Sequence, residues 1–516
     1  MVQHNNIIVC KRLVAFNSAS SVAARFINLM VLLWMYQYLL KRVSAEEFAV
    51  YPVVTAIMVF APLFFSFFSG GVSRYVIDAY AKGDFEEVSR TVSSILPMLV
   101  GSAAVFLAAG LLFSFNIEKV LNIAPQMVGD ARIMMSLLIA GFALQMVCLP
   151  FGIGYQVRQR YVELNLLGIL SNMLRIVLLL IFLLGIGPGV IWVVVATFIS
   201  KTAHLAVLVT RSRRLVPELR FEWRLFEMGK ARELMSFGVW TTLGQLGTVM
   251  YTNAATLVLN LYGSAVDVTS YHIGATFYRQ LHSTIGMAAL PLQPAITAMN
   301  ALADRRRLAA TVLRGGRYAL WVSMIVAAPL ALYADTFIGL YLGPKYSTAA
   351  MVIVLFMLIF PFREPTRLLP MTAMAMAQMR VFFLPAFLFQ LFGLGLMLYF
   401  AARQDMGAVG VTLALTIITV ASQLLYFWRL CLRLIGTAFP TFARDVLLRG
   451  LAPALAGLLV WGALKFTAPP EDWFRLGLYG ALGALVYVAV LLGACLDDGE
   501  RRDLLAGLAR LGLASR

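Results

Sequence analysis

The chain has 516 residues, of which 61% are hydrophobic and 13% are charged, and its mean hydropathy is +0.84. Soluble domains carry about 25% charged residues, so this composition excludes a soluble globular protein and indicates an integral membrane protein. The formal net charge of +17 does not predict nucleic-acid binding, because the positive residues fall in alternate loops, as Lys and Arg do on the cytoplasmic side of a membrane.

Apolar runs of about 20 residues, each long enough for one transmembrane helix, recur along the whole chain. The first begins after Lys11 and Arg12 and continues to about Leu40, too long for a signal peptide, so it is predicted to be an uncleaved first span. Six predicted spans cover 13–40, 49–69, 92–115, 131–153, 164–184 and 187–209. Six more cover 236–261, 267–293, 317–341, 349–369, 381–402 and 408–430, and two follow at 450–466 and 473–496. The prediction is an all-α membrane protein with about 14 transmembrane helices.

A strongly charged stretch, 211–233, separates the first six predicted spans from the rest. It mixes seven Lys/Arg and four Glu with Leu, Phe, Trp and Met. This mixture fits an amphipathic helix on a membrane surface, and it fits a solvated charged linker equally well.

The two sides of this stretch match when residue n is compared with residue n+220. The pairs include Ser44 with Ser264, Glu47 with Asp267, Asp84 with Asp304 and Gly187 with Gly407. A fixed period predicts duplicated architecture. We therefore expect an N-lobe at 1–210, a cytoplasmic basic amphipathic linker at 211–235, a C-lobe at 236–440, and spans 13 and 14 with a tail at 441–516. Six spans per lobe make the two repeats parallel, with a site expected between them near the midplane.

The positive residues decide the predicted orientation. Segments on one side hold 29 Lys/Arg and segments on the other hold seven. Both termini are therefore predicted to be cytoplasmic. The four cysteines show no pair spacing, so neither a disulfide nor a metal site is predicted. Walker-type, HExxH and GxSxG patterns are absent, so no enzyme activity and no cofactor are predicted.

Three predicted spans carry an arginine near the middle of a polar stripe. Spacings of three or four residues place each stripe on one helix face. The stripes are Asn17, Ser21, Arg25 and Asn28; Asn165, Gly168, Asn172 and Arg175; and His272, Thr276, Arg279 and Ser283. A charge at mid-membrane costs about 2.5–3.5 kcal/mol to insert, and arginine offers a planar fork of donors for phosphate oxygens. We expect an anionic ligand, such as a diphosphate, at Arg25, Asn28, Asn172, Arg175, Asn253 and Arg279. A structural role for each arginine, bonded to helix carbonyls or reaching an interface, stays open.

Other ionisable residues suggest further roles. Span ten carries Arg363, Glu364 and Arg367 toward its cytoplasmic end. His272, His282 and Glu364 are candidate proton carriers, with a packing role as the alternative for the two histidines. Glu47 and Asp267, equivalent in the repeat, are expected to form an outer gate.

Several motifs in chain order resemble a known family. KRVSAEEFAVY at 41–51 resembles the signature after the first span of polysaccharide transporters, although Val43, Ser44 and Ala49 depart from it. FFSGGVSRYV at 67–76, AKGD at 81–84 and LGPKYSTAAMVIVLFML at 342–358 are similar to later family segments. The chain thus resembles the O-antigen and exopolysaccharide flippases of the multidrug/oligosaccharidyl-lipid/polysaccharide exporter superfamily.

That resemblance implies two six-helix lobes around a cationic cavity, with two trailing helices. It implies an inner-membrane flippase that moves undecaprenyl-diphosphate-linked oligosaccharides to the periplasmic leaflet. Expected partners are the lipid-linked substrate, membrane lipids, a coupling cation (H⁺ or Na⁺) and glycan polymerase or ligase machinery. A peptidoglycan lipid-precursor flippase, a cation-coupled multidrug antiporter and a membrane-embedded glycan ligase or polymerase remain alternatives. The antiporter would need cavity carboxylates, and the enzyme a long periplasmic loop.

Overall fold

The computed structural model describes residues 30–58, 61, 72–158, 160–232, 253–289, 292–376, 378–497 and 499–501. The regular structure in these ranges is helical, without a strand. The chain divides into two compact units, Met1–Asn253 and Ala254–Arg516.

Ten stretches in the described ranges are long and apolar enough to cross a membrane. They are Phe85–Phe115, Pro125–Tyr155, Glu163–Ile186, Ile191–Leu215, Arg305–Leu332, Thr348–Ala375, Arg380–Ala402, Gly407–Ile435, Phe439–Thr467 and Trp473–Cys495. Each coincides with a predicted span. Predicted spans one, two and seven lie partly outside the described residues, and span eight is a helix rich in polar residues.

Unit 1 contains eight labelled helices among its described residues. They are α1 Met30–Leu40, α2 Ala45–Met58, α3 Val72–Ala81, α4 Phe85–Phe115, α5 Val128–Cys148, α6 Ile153–Val157, α7 Tyr161–Ile181 and α8 Ile191–Leu215. Short 3-10 turns lie at Ile117–Lys119, Pro125–Met127, Leu149–Gly152 and Trp223–Leu225, and a π turn ends α7 at Phe182–Ile186.

Unit 2 begins its described helices with α9 at 253–262. There follow α10 Ala265–Ala289, α11 Leu292–Ala301, α12 Arg305–Leu332, α13 Ala334–Leu342, α14 Thr348–Met357, α15 Phe360–Arg363, α16 Leu369–Ala375, α17 Met379–Ala402, α18 Gly407–Ser422, α19 Trp428–Ile435, α20 Phe439–Phe442, α21 Arg449–Thr467 and α22 Trp473–Val490. 3-10 turns lie at Pro344–Tyr346 and Glu364–Thr366, and π turns at Gln423–Phe427, Ala443–Leu448 and Leu491–Cys495.

The turn before α4 is repeated before α12 in the predicted 220-residue register. Asp84 caps α4 by accepting a hydrogen bond from the Glu87 N–H at 3.0 Å, and Asp304 caps α12 in the same way through the Arg307 N–H. The preceding residues, Gly83 and Ala303, both adopt positive φ, at 76° and 54°. This agreement of caps and backbone is what the predicted duplication requires at these two turns.

The charged stretch is not a continuous helix, which corrects one of its two interpretations. Residues 211–215 complete α8, residues 216–222 are irregular, and a 3-10 turn follows at Trp223–Leu225. Pro217 cannot donate the N–H that would extend the helix. We call residues 216–227 the linker strap.

Packing against α4 holds the linker strap in this irregular path. Val216 and Leu219 are fully buried in a core with Val88 and Val92 of α4. Burying a leucine of this kind contributes roughly 1.5–3 kcal/mol relative to leaving it exposed. A tertiary contact has therefore overridden the amphipathic pattern of the segment.

In unit 2, α21 and α22 pack on α12 through aromatic side chains. Tyr333 donates to the Trp461 carbonyl at 2.7 Å, and Tyr487 donates to the Trp321 carbonyl at 2.9 Å. Trp461 is fully buried, and a β-carbon at Gly483 would overlap its indole ring. The last two spans are thus integrated into this unit.

An ion cluster links α12, the start of α21 and the chain that follows α22. Arg317, which is 3% exposed, contacts Asp497 and Glu500, and Arg449 also contacts Asp497. Burial raises the pKa of Asp497, but the hydrogen bond and positive charge of Arg317, together with Arg449, outweigh this and hold the pKa below its ordinary value. The chain after α22 is thereby tied to α12.

Candidate functional site

The segment from α14 to α16 is a membrane helix interrupted past its middle. Pro361, Pro365 and Pro370 each remove a backbone donor, and the chain passes through the short helix α15 and a 3-10 turn. Such breaks are tolerated in a membrane where the released backbone groups face protein or a wet cavity. The interruption displays Arg363, Glu364 and Arg367 toward α10.

Glycines on the neighbouring helices make room for the interrupted segment. A β-carbon at Gly316 of α12 would overlap the Pro365 carbonyl oxygen, and one at Gly286 of α10 would overlap the Arg367 guanidinium. A larger residue at Gly316 would push the segment away from α12, and one at Gly286 would displace the Arg367 guanidinium.

The interrupted segment and α10 form a charged cluster, consisting of Tyr278, His282, Arg363, Glu364 and Arg367. Arg367 Nη1 lies 3.0 Å from His282 Nδ1, and Arg367 Nη2 donates to the His282 carbonyl at 3.1 Å. Arg363 Nη1 donates to the Tyr278 hydroxyl at 2.6 Å. Glu364 Oε1 lies 3.5 Å from both His282 Nδ1 and Arg367 Nη1.

Glu364 is the most deeply buried member of the charged cluster. It is fully buried, and its carboxylate oxygens accept no hydrogen bond from the described residues. A buried carboxylate is costly unless positive charge compensates it, and Arg367 supplies that charge at 3.5 Å. Two arginines face one carboxylate, so with His282 neutral the charged cluster is net positive.

Aromatic stacking fixes the rings of the charged cluster. The Tyr278 ring stacks on Phe356 at 4.8 Å between centroids and on His282 at 5.7 Å. Tyr278 and His282 are one turn apart on α10, so the stack and the Arg363 bond orient the same helix face. The sequence singles out His282 as a candidate proton carrier, with a packing role as the alternative, but it does not single out Tyr278; their i, i+4 spacing is the available signal.

Arg279, a predicted ligand-binding residue, lies on the exposed surface of unit 2. Its Nη2 donates to the Thr276 hydroxyl at 3.2 Å, and that hydroxyl donates to the His272 carbonyl at 2.7 Å. The predicted stripe is therefore a real chain of contacts on one face of α10. Thr276 is 5% exposed, whereas Arg279 is exposed, so the stripe supports the guanidinium from beneath.

In unit 1, Arg175 is half-buried beside a small cavity. The lining of this cavity includes Tyr51 and Thr197. The cavity volume is about 20 Å³, which is room for about one water molecule and far too small for a diphosphate. Asn172 is exposed on α7. Asn253 is half-buried; it is the last residue of unit 1 and the first residue of α9.

Arg25 and Asn28 lie outside the described residues. Arg175 and Arg279 belong to different structural units. The convergence of the three arginines on one ligand therefore stays a prediction.

The two predicted gate acids make equivalent contacts within their own units. Glu47 Oε1 accepts from the Val190 N–H at 3.3 Å, just before α8. Asp267 Oδ1 accepts from the Ala408 N–H at 2.9 Å, in the first turn of α18. Each acid thus caps the last helix of its predicted six-span repeat, where a helix N-terminus favours negative charge. The pKa of Glu47 lies above its ordinary value, because burial and the charge of Asp130 raise it by more than the Val190 hydrogen bond lowers it.

Lys201 is a further cation in the middle of a helix. It lies within α8, far from either end, and its Nζ donates to Gln145 of α5 at 3.4 Å.

The described residues contain no group of three His, Cys, Asp or Glu side chains that could hold a metal ion.

Comparison with solved structures shows which known fold the chain has. Over 94% of this chain and 99% of the other, the fold matches a lipid II flippase MurJ in an inward closed conformation, with a TM-score of 0.70 and 16% identity. It also matches an inward-facing multidrug resistance MATE family transporter over 79% of this chain and 95% of the other, with a TM-score of 0.63 and 15% identity. The chain therefore shares the fold of these two solved structures.

Comparison of sequences defines the family. The family described as polysaccharide biosynthesis protein matches residues 14–299, so the chain belongs to that family. The chain is also 20% identical, over 337 residues, to the uncharacterized membrane protein EpsK of Bacillus subtilis (strain 168). That match covers 65% of this chain and 66% of the relative. The chain therefore belongs to the polysaccharide biosynthesis protein family and has the fold of the two transporters it matches.

Proposed function

We propose that this protein flips an undecaprenyl-diphosphate-linked oligosaccharide from the cytoplasmic to the periplasmic leaflet of the bacterial inner membrane, for O-antigen or exopolysaccharide synthesis. Transport proceeds by alternating access with a cationic central cavity. Family membership supports a role in polysaccharide synthesis, and the excess of Lys and Arg in alternate loops supports cytoplasmic termini.

One observation carries the choice of an anionic substrate. In the described part of unit 2, Arg279 is exposed on predicted span eight, and its Nη2 donates to the neutral Thr276 hydroxyl. An exposed arginine on a predicted span can bind the oxygens of a diphosphate through two parallel hydrogen bonds. A cationic drug would meet repulsion at the same place.

We assign the diphosphate and first sugar to Arg25, Asn28, Asn172, Arg175, Asn253 and Arg279. His272 and Glu364 are assigned to coupling with an H⁺ or Na⁺ gradient. The loops that carry Glu47 and Asp267 are assigned to the outer gate, with the capping bonds keeping each loop rigid. Glycan polymerase or ligase machinery would take the product in the periplasm.

The proposal is tested by transport in proteoliposomes. Vesicles containing the purified protein receive an undecaprenyl-diphosphate-linked oligosaccharide, peptidoglycan lipid precursor or a cationic dye, in separate samples. A membrane-impermeant lectin, or a trapped quencher for the dye, reports movement between leaflets. We expect movement of the lipid-linked oligosaccharide above that in empty vesicles. Movement of the peptidoglycan precursor alone, or of the dye alone, would replace this proposal by the corresponding alternative.

A further inference from the structure

The linker strap presents aromatic and basic side chains at one end of α4. Trp223 is 73% exposed, Met228 just beyond the strap is 58% exposed, and Arg220 and Arg224 are exposed on either side of the tryptophan. Trp223 packs edge-on against Phe221 at 4.9 Å and against Phe226 at 6.4 Å between ring centroids. The linker strap therefore holds Trp223 away from the protein core. We call Phe221, Trp223 and Phe226 the aromatic wedge.

Three buried serines of α4 fix where this wedge lies. Ser89 donates to the Glu218 carbonyl at 2.9 Å, and Ser93 and Ser94 accept from the backbone N–H groups of Glu222 and Glu227 at 2.9 and 3.1 Å. Since Trp223 lies between those last two bonds, its backbone is pinned beside Ser93 and Ser94. Further along, Lys230 Nζ contacts Glu87 Oε1 at 2.8 Å and secures the chain after the strap.

The sequence of α4 gives the depth of that point in the membrane. Ser93 and Ser94 directly precede an uncharged, mainly apolar run that ends at Phe115. At 1.5 Å per residue this run spans about 30 Å, the thickness of the hydrocarbon core. The two serines, and with them Trp223, therefore lie at the boundary between hydrocarbon and headgroups.

The charge of the surrounding segment fits a phosphate-bearing surface. Residues 211–232 contain seven Lys/Arg and three Glu. Arg220 pairs with Glu222 at 2.6 Å, but both side chains are exposed, so the pair is weak and its arginine can turn to another anion. Tryptophan is enriched at membrane interfaces, and basic residues there attract anionic lipids.

We propose that the linker strap is a docking surface for the phospholipid headgroups of the adjacent leaflet, with Trp223 inserted among them and Arg220 and Arg224 on lipid phosphates. The wedge then fixes the level of the chain between the two predicted repeats relative to the bilayer. This assignment does not depend on what the protein transports.

Fluorescence quenching in nanodiscs tests the docking surface. Trp223→Phe removes one of eight tryptophans, so the difference between wild type and variant isolates the Trp223 signal. In nanodiscs containing phosphatidylglycerol, we expect lipids brominated near the glycerol to quench this signal and aqueous iodide to quench it weakly. Quenching by iodide without quenching by lipid would overturn the proposal and leave the wedge open to a soluble partner.

The arginines are tested by the same signal. Raising the phosphatidylglycerol fraction should reduce the quenching of Trp223 by iodide. In the variant Arg220→Gln/Arg224→Gln, we expect this response to be about fivefold weaker for each arginine replaced. Arg306→Gln/Arg307→Gln, which removes two exposed arginines at the start of α12, is the matched control and should leave the response unchanged. Shielding that is equal in phosphatidylcholine and phosphatidylglycerol would contradict the role of the two arginines.

Discussion

Glu364 shows most sharply what a single residue does in this protein. Its carboxylate is fully buried and relies on the positive charge of Arg367 at 3.5 Å. Removing one partner from a buried ion pair leaves the other charge uncompensated, which costs about 3–5 kcal/mol. The charged cluster is therefore a coupled unit, in which each charge is tolerated because of the others.

A double-mutant cycle measures this coupling. Glu364→Gln and Arg367→Gln should each lower the free energy of unfolding, and the double variant should lose less than the sum, with a coupling of about 1–3 kcal/mol. Thermal unfolding of the purified protein reports all four states of the cycle. The exposed pair Glu471 and Arg475, 3.8 Å apart, is the control and should show coupling of roughly 0.5 kcal/mol or less. Additive losses for Glu364 and Arg367 would show that the buried contact is not an energetic pair.

The sequence identified part of this site. Arg363, Glu364 and Arg367 stood out because they are ionisable residues within one predicted span. Their partners Tyr278 and His282 lie more than 80 residues earlier, and their role depends on how closely α10 meets the interrupted segment. That approach depends on Gly286 and Gly316, whose importance has no local sequence signal.

At the scale of elements, the repeat is clearest where local chemistry determines structure. A cap such as Asp84 or Asp304 is set by a few neighbouring residues, so matching sequence positions correctly predicted matching turns. The linker strap shows the opposite case. Its apolar spacing suits a helix, but Pro217 and the bonds from Ser93 and Ser94 impose another path, and only the folded unit brings these serines near it.

Gly83 and Gly407 both have a positive φ, but we expect them to respond differently to substitution by alanine. Gly83 has φ of 76° with open space around it, and the repeat already places Ala303 in this conformation, so Gly83→Ala should cost only about 1–2 kcal/mol. Gly407 has φ of 51°, and a β-carbon there would also overlap the Asp267 carboxylate that caps α18. Gly407→Ala should therefore lower the unfolding temperature considerably more. Equal shifts in a thermal melt would contradict the capping role of Asp267.

At the scale of the whole molecule, composition and apolar run length predicted the membrane class and ten of the spans that the described structure contains. Orientation and substrate are different matters, because they depend on the membrane and on a ligand. We propose that positive charge on the predicted spans selects an anionic lipid-linked substrate. Arg279 is the most accessible test of that link, because it is exposed and its removal leaves no buried charge without a partner.

The most direct measurement is the transport rate of undecaprenyl-diphosphate-linked oligosaccharide in proteoliposomes containing wild-type, Arg279→Lys, Arg279→Ala or Arg306→Ala protein. A charge-assisted hydrogen bond contributes about 1.5–3 kcal/mol, so Arg279→Ala should lower apparent substrate affinity about ten- to a hundredfold. Lysine keeps the charge but loses the fork and should fall between alanine and wild type. Arg306→Ala, an exposed arginine at the start of α12, should behave as wild type. Full transport by Arg279→Ala at normal protein yield and unfolding temperature would contradict the cationic binding of the substrate.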